Sequence, residues 1–146
     1  MIYDAIINGA RAVNFYGGRN ANCFSSADAT FGWNWTFWTQ VLRRLVREIG
    51  PTSRLYPALL TPETAIPVAS NDPSTQVIAR QVGSNSTWVL AARSGTGTKT
   101  VAFSGLPDWA RAGSAYNEHR SVSATKGAWT DAFSQWAVHV YLFRKA

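Results

Sequence analysis

At 146 residues, with 46% hydrophobic and 15% charged residues, the chain is long enough for one ordinary domain or a small domain with an extension. It is too short for a large enzyme barrel and too apolar for a disordered segment. The net charge of +6 comes from eleven Arg and three Lys against eight acids; beyond Arg43, Arg44 and Arg47 these cations are scattered singly, so no basic stripe marks nucleic acid as a partner.

A single cysteine, Cys23, excludes an intramolecular disulfide and a Cys-rich metal site. No run approaches the ~20 apolar residues of a membrane span, so no membrane partner is expected. MIYDAIINGA lacks the basic start and long apolar core of a signal peptide.

In chain order, Ile2, Tyr3, Ile6 and Ile7 recur at helical spacing before Asn8-Gly9, so residues 1–8 read as the last turns of a helix. Ala10–Tyr16 (ARAVNFY), closed by Gly17-Gly18, predicts a buried strand. Residues 19–34 are a polar, Gly-containing loop, with Thr36 placed to cap a second helix. Phe37, Val41, Leu45 and Ile49 with Trp38, Leu42 and Val46 make a broad apolar stripe opposite Gln40, Arg43, Arg44, Arg47 and Glu48, and Gly50-Pro51 ends that helix. Pro51, Pro57 and Pro62 make 51–64 a connector lying across a surface rather than a regular element.

From 65 to 146 the pattern changes to short β-prone runs: AIPVAS, TQVIARQV, TWVLAARS, KTVAFSG, SAYNEHRSVSA, GAWTDAF and WAVHVYLFR. Ser84-Asn85, Gly95-Thr96-Gly97, Leu106-Pro107 and Lys126-Gly127 separate them. The expected fold is mainly β: an antiparallel β-sandwich over 65–146, preceded by a helix-strand-helix segment over 1–50 and the connector 51–64.

The order of MIYDAIINGARAVNFYGG, WNWTFWTQVLRRLVREIG, the Pro-rich connector and a strand-rich tail ending in SQWAVHVYLFRK resembles the C-terminal part of certain (β/α)8-barrel glycoside hydrolases. In that resemblance the first segment is similar to a penultimate barrel helix leading into the barrel's eighth strand. The second is similar to its closing helix, and the tail to the C-terminal β-sandwich. It rests on element order rather than on a catalytic motif. It implies that the catalytic carboxylates lie upstream of this piece, that polysaccharide or oligosaccharide is the ligand, and that the parent enzyme is extracellular or periplasmic.

The residues themselves supply no catalytic pair. A glycosidase needs two carboxyl groups about 5 to 9.5 Å apart, one of them kept protonated. Asp4 and Glu48 fall on predicted helices, Asp28, Glu63, Asp72 and Asp108 in loops, and Glu118 and Asp131 in the late strand region. Glu118-His119 with Asp131 and His139 has the residue types of a zinc or calcium site, but its spacing is unspecific. Glu118 and His119 are expected on opposite faces of a strand, so no metal or other cofactor is expected. No G-x-S-x-G elbow supports a serine nucleophile, and Gly17-Gly18-Arg19 lacks the spacing of a phosphate loop.

Seven Trp, seven Phe and five Tyr exceed what packing a domain of this size needs, and sugars stack their C–H faces on such rings. Trp33 and Trp35, with Asn34 between them, would form one stacking platform if extended, or else anchor the helix after them. Trp109 comes after a Pro-Asp turn and Trp129 shortly after a Gly, Gly127, positions expected to be exposed. Trp38, Trp88 and Trp136 are expected to pack. The expected carbohydrate-binding set is therefore Trp33, Asn34, Trp35, Trp109 and Trp129. Three readings of function result: a non-catalytic carbohydrate-associated module, a structural unit that self-associates or supports a catalytic barrel, and a hydrolase fragment active only in the full-length enzyme.

Overall fold

The computed structural model describes residues 2–14, 38–62 and 66–145. The chain divides into two compact units, one formed by Met1–Arg11 with Leu60–Ala146 and the other by Ala12–Leu59. The larger unit is a mainly β fold of two antiparallel sheets, an antiparallel sandwich.

Its strands are β1 (Ala69–Ser70), β2 (Thr75–Val82), β3 (Ser86–Arg93), β4 (Lys99–Ser104), β5 (Ala112–Ala115), β6 (Arg120–Ser123), β7 (Trp129–Phe133) and β8 (Val138–Arg144). One sheet has the order β1-β4-β7 and the other β2-β3-β8-β5-β6. Tight hairpins join β2 to β3 and β5 to β6, while the other connections cross between sheets. The expected run SAYNEHRSVSA is thus two strands. Asn117 and His119 take left-handed backbone conformations (φ 61° and 53°) that break it into a turn at 116–119.

Period-2 alternation decides which residues meet between the sheets. Val89 and Ala91 of β3 and Tyr141 and Phe143 of β8 face Val101, Phe103, Trp129 and Phe133 of the other sheet in one core cluster. Ile78, Leu90 and Val140 lie in register on the opposite face of the five-stranded sheet and are also buried. Helix α1 (Ile2–Ile7) packs on β3 and β2, burying Tyr3 and Ile6. Cover on both faces explains why β3 reads as a nearly unbroken apolar run instead of an alternating one.

The first helix is where the sequence placed it, but the strand expected after it is not formed over its described part. Ala10–Asn14 is irregular and half-exposed or exposed, and Phe15 and Tyr16 lie outside the described residues. A strand needs ladder partners for its N–H and C=O groups, and among the described residues β1 to β8 pair with one another and not with Ala10–Asn14.

In the smaller unit a π-helical turn, Trp38–Leu42, leads into α2 (Arg43–Ile49), which ends at an extended Gly50. Trp38, Val41 and Val46 are exposed, correcting the expectation that Trp38 is core. The connector carries a short helix, α3 (Tyr56–Leu60), where irregular chain was expected. Pro57 sits in its first turn, where a missing N–H breaks no helical bond, and Ser53 Oγ accepts the Leu55 N–H at 2.9 Å. No helix among the described residues is long and apolar enough to cross a membrane.

Candidate functional site

A polar cluster lies at the end of the sandwich where β8 begins. Arg120, first residue of β6, is its centre: Nε donates to Glu118 Oε2 at 2.8 Å, Nη1 to Asp131 Oδ1 at 3.0 Å, and Nη2 to Asp131 Oδ2. Asp131 sits on β7 in the other sheet, so this cation clamps the two sheets together. Tyr141 of β8, its ring in the core, donates its hydroxyl to Asp131 Oδ2 at 2.7 Å, and the Ala132 N–H donates to Oδ1 at 2.8 Å. His139 places Nδ1 2.6 Å from Glu118 Oε1 and Nε2 3.2 Å from the Ala132 carbonyl oxygen, with its ring edge-on to Phe133.

The electrostatics result from this wiring. Burial pushes the Asp131 carboxyl up, but the hydrogen bonds from Arg120, Tyr141 and the Ala132 N–H outweigh it and hold the group below its ordinary value. Burial also opposes the Arg120 charge, yet Asp131 and Glu118 raise its proton affinity above the usual arginine value. Burial first, then the acceptor and charge of Asp131, push the Tyr141 phenol well up. Glu118 and Asp131 therefore act as acceptors around one guanidinium. Of the four residues that the sequence brings forward, Glu118, His119, Asp131 and His139, the structure gathers three and leaves His119 in the turn. It adds Arg120 and Tyr141, which no spacing in the sequence marks.

The loops at the same end are fixed by a second cluster. Asp72, almost wholly buried, accepts from Lys99 Nζ at 2.9 Å, from Thr75 Oγ1 at 2.8 Å and from Arg93 Nε at 3.0 Å. Lys99 and Thr75 hold its carboxyl well below the usual range, outweighing the cost of burial. The Arg93 guanidinium continues outward, donating to the carbonyls of Gly95, Gly97 and Thr96, and so shapes the 94–98 crossing. The Arg93 N–H donates to the Ala137 carbonyl at 3.0 Å, which ties the 134–137 crossing to the same frame.

On that crossing stands Trp136, 70% exposed and left-handed at φ 61°. For a bulky non-glycine residue this backbone conformation costs about 1 kcal/mol or more, and little burial of the ring offsets it. Trp136 was expected to pack, and the structure corrects this. The signal is the polar pair Ser134-Gln135, which ends β7 before the ring and leaves β8 to start after it at Val138.

Of the expected sugar-facing residues, Trp33, Asn34 and Trp35 lie outside the described residues. Trp109 is half-buried against the core cluster. Trp129 is not exposed: it is 4% accessible, stacked on Phe103 at 4.7 Å between ring centres, and edge-on to Tyr141 and Phe143. As the first residue of β7, it falls on the strand face that alternation turns inward with Phe133. Trp88 packs as expected, edge-on to Tyr116 at 5.1 Å.

No family model matches the chain, and no curated protein matches it. Among solved structures it is similar to an alpha-amylase from Anoxybacillus, a glycosyl hydrolase, at 13% identity and a TM-score of 0.43. The match covers 51% of this chain and 16% of that chain, so it spans only a small part of the amylase.

Proposed function

We propose that the sandwich is a non-catalytic carbohydrate-associated module, the C-terminal accessory domain of a glycoside hydrolase, which holds glycan by aromatic stacking. The observation that carries this reading is Trp136. A large ring left open to water, on a costly backbone conformation, beside loops rich in hydroxyl and amide groups, suits the C–H face of a sugar. Trp109, and the Trp33-Asn34-Trp35 segment, belong to the same proposal as further contacts. The parent enzyme would be extracellular or periplasmic and would carry its acid and nucleophile on a barrel upstream.

Support for a non-catalytic role comes from the occupied carboxylates. Glu118 and Asp131 share one guanidinium, and Asp72 is consumed by Arg93 and Lys99. Hydrolysis needs a protonated carboxyl at the leaving oxygen and space between the pair for the sugar. The chain alone is expected to leave glucans, xylans and aryl glycosides intact. Calorimetry with neutral oligosaccharides tests the binding half of the proposal: weak, salt-insensitive affinity that is lost in Trp136→Ala supports it, and equal affinity in the variant refutes it.

A second reading, self-association or support of a catalytic barrel, draws on the exposed Trp38, Val41 and Val46 of the helical segment.

A further inference from the structure

We infer that the cleft between the 105–111 and 124–128 crossings, at the end of the sandwich opposite Trp136, receives a carboxylate-bearing sugar residue, a uronate. This rests on the glycan-binding reading and adds a ligand class that stacking on Trp136 does not select. The cleft has a volume of about 630 Å³ and is lined, among the described residues, by Asp108, Arg111, Ala124, Thr125 and Lys126.

Among the described residues, no carboxylate pairs with either of its two cations. The ion pairs among the described residues involve Arg93, Lys99, Arg120 and His139, whereas the one side-chain bond of Arg111 runs from Nε to the Asp108 carbonyl at 3.3 Å. That leaves the outer edge of the guanidinium free for a two-point contact with a carboxylate.

Lys126 is held in place at conformational cost. It is left-handed (φ 49°), as is Gly127 (φ 73°), and reciprocal hydrogen bonds between Thr125 and Ala128 at 2.8 and 3.0 Å close the turn. Asn, Asp or Gly normally fills the first central position of such a turn, because a long side chain gains nothing there locally. The turn cannot drift: the Leu106 N–H donates to the Gly127 carbonyl at 3.1 Å, and a side chain at Gly127 would collide with the Leu106 carbonyl. The Ala124 N–H donates to the Arg111 carbonyl at 2.8 Å, which fixes the other wall. Both cations therefore line one preformed cleft.

The charge arithmetic favours a singly charged ligand. Arg111 and Lys126 against Asp108 leave one net positive charge, which matches a singly charged carboxylate better than a doubly charged phosphate. Asp108 opposes further negative charge and can accept the hydroxyls that flank a uronate carboxylate.

Calorimetry on the whole chain with a galacturonate trisaccharide, the neutral galactose trisaccharide and a sulfated neutral trisaccharide tests the inference. The uronate is expected to bind about tenfold tighter than the neutral sugar near 0.05 M salt, a preference that fades near 1 M. Lys126→Asn, which suits the left-handed position, and Arg111→Gln should each abolish the preference. Trp136→Ala should weaken the neutral sugar and leave the preference intact. Equal binding of uronate and neutral sugar, absence of uronate binding, a preference surviving in Lys126→Asn, or a sulfated sugar matching the uronate would each overturn the assignment. Absence of neutral binding alone, with the uronate preference in place, counts against stacking on Trp136 and not against this cleft.

Discussion

Arg120 on β6 meets Asp131 on β7 along two parallel contacts, Nη1 to Oδ1 and Nη2 to Oδ2, and so joins the edge of the five-stranded sheet to the three-stranded one. Removing the guanidinium leaves Asp131, whose side chain is only 11% exposed, and Glu118 without their shared cation. Arg120→Gln is expected to cost about 2 kcal/mol, below the value for a fully buried pair because water reaches the arginine. Urea denaturation with an unchanged m-value measures it.

Acid should find the same carboxylates. Asp131 and Asp72 are both held below the 3.8 at which they titrate in the unfolded chain. The stability they contribute is full above that value, and it is lost as pH falls below about 4, where the unfolded chain takes up protons first. Melting temperature is expected to drop as pH falls from about 4 toward 3. Asp72→Asn should melt lower at about pH 5 and show a shallower acid limb; an acid limb as steep as that of the wild type would count against this account.

The buried Trp129 is a packing residue with one cost attached, since its indole Nε1 finds no hydrogen-bond partner among the described residues. Trp129→Phe keeps a ring on Phe103 and removes the orphaned N–H, so a loss of only about 1 kcal/mol is expected. Trp129→Ala should lose about 4 kcal/mol. Folded Trp129→Phe protein should bind glycan as the wild type does, and a weakened affinity would show that the ring reaches the ligand.

Trp136 inverts that pattern. Trp136→Gly accepts the left-handed backbone and gives up little burial, so stability should rise by up to about 1 kcal/mol while affinity for neutral glycan falls about tenfold. Thermal melts and calorimetry on the same sample separate the two effects. A destabilised variant would mean that the ring packs in solution.

For the helical segment, a dimer or larger species is expected by light scattering. Val41→Glu with Val46→Glu should convert it to monomer without lowering the melting temperature. A monomeric wild type would refute the self-association reading.

Strand positions were legible because most turns between them are made of local chemistry. Gly95-Thr96-Gly97 and Lys126-Gly127 break the pattern where the structure does, with Gly97 and Gly127 left-handed. The turn at 116–119 was hidden because Asn117 and His119 take left-handed angles inside a run whose composition still favours strand. The strand expected at 10–16 failed over its described part for the opposite reason. Local propensity was present, but pairing partners are a property of the whole sheet. Ring exposure was the least legible feature of all, since it turns on strand ends: Trp129 opens β7 on its inward face, whereas Trp136 falls in the crossing between β7 and β8. The Arg120 clamp joins residues far apart in sequence, and no spacing rule announces such a group.

Strand order also sets a timetable for the nascent chain. β8, the last in chain order of the strands among the described residues, lies between β3 and β5. Until Val138–Arg144 emerges, β2-β3 and β5-β6 are two separate hairpins, and the Trp129 and Phe103 rings face a gap where Tyr141 and Phe143 will be. Closure of the sheet therefore waits for β8 and joins distant contacts, the slow kind. A chain cut short before Val138 would have no middle to its larger sheet and would be bound for proteolysis or aggregation rather than for a smaller folded domain.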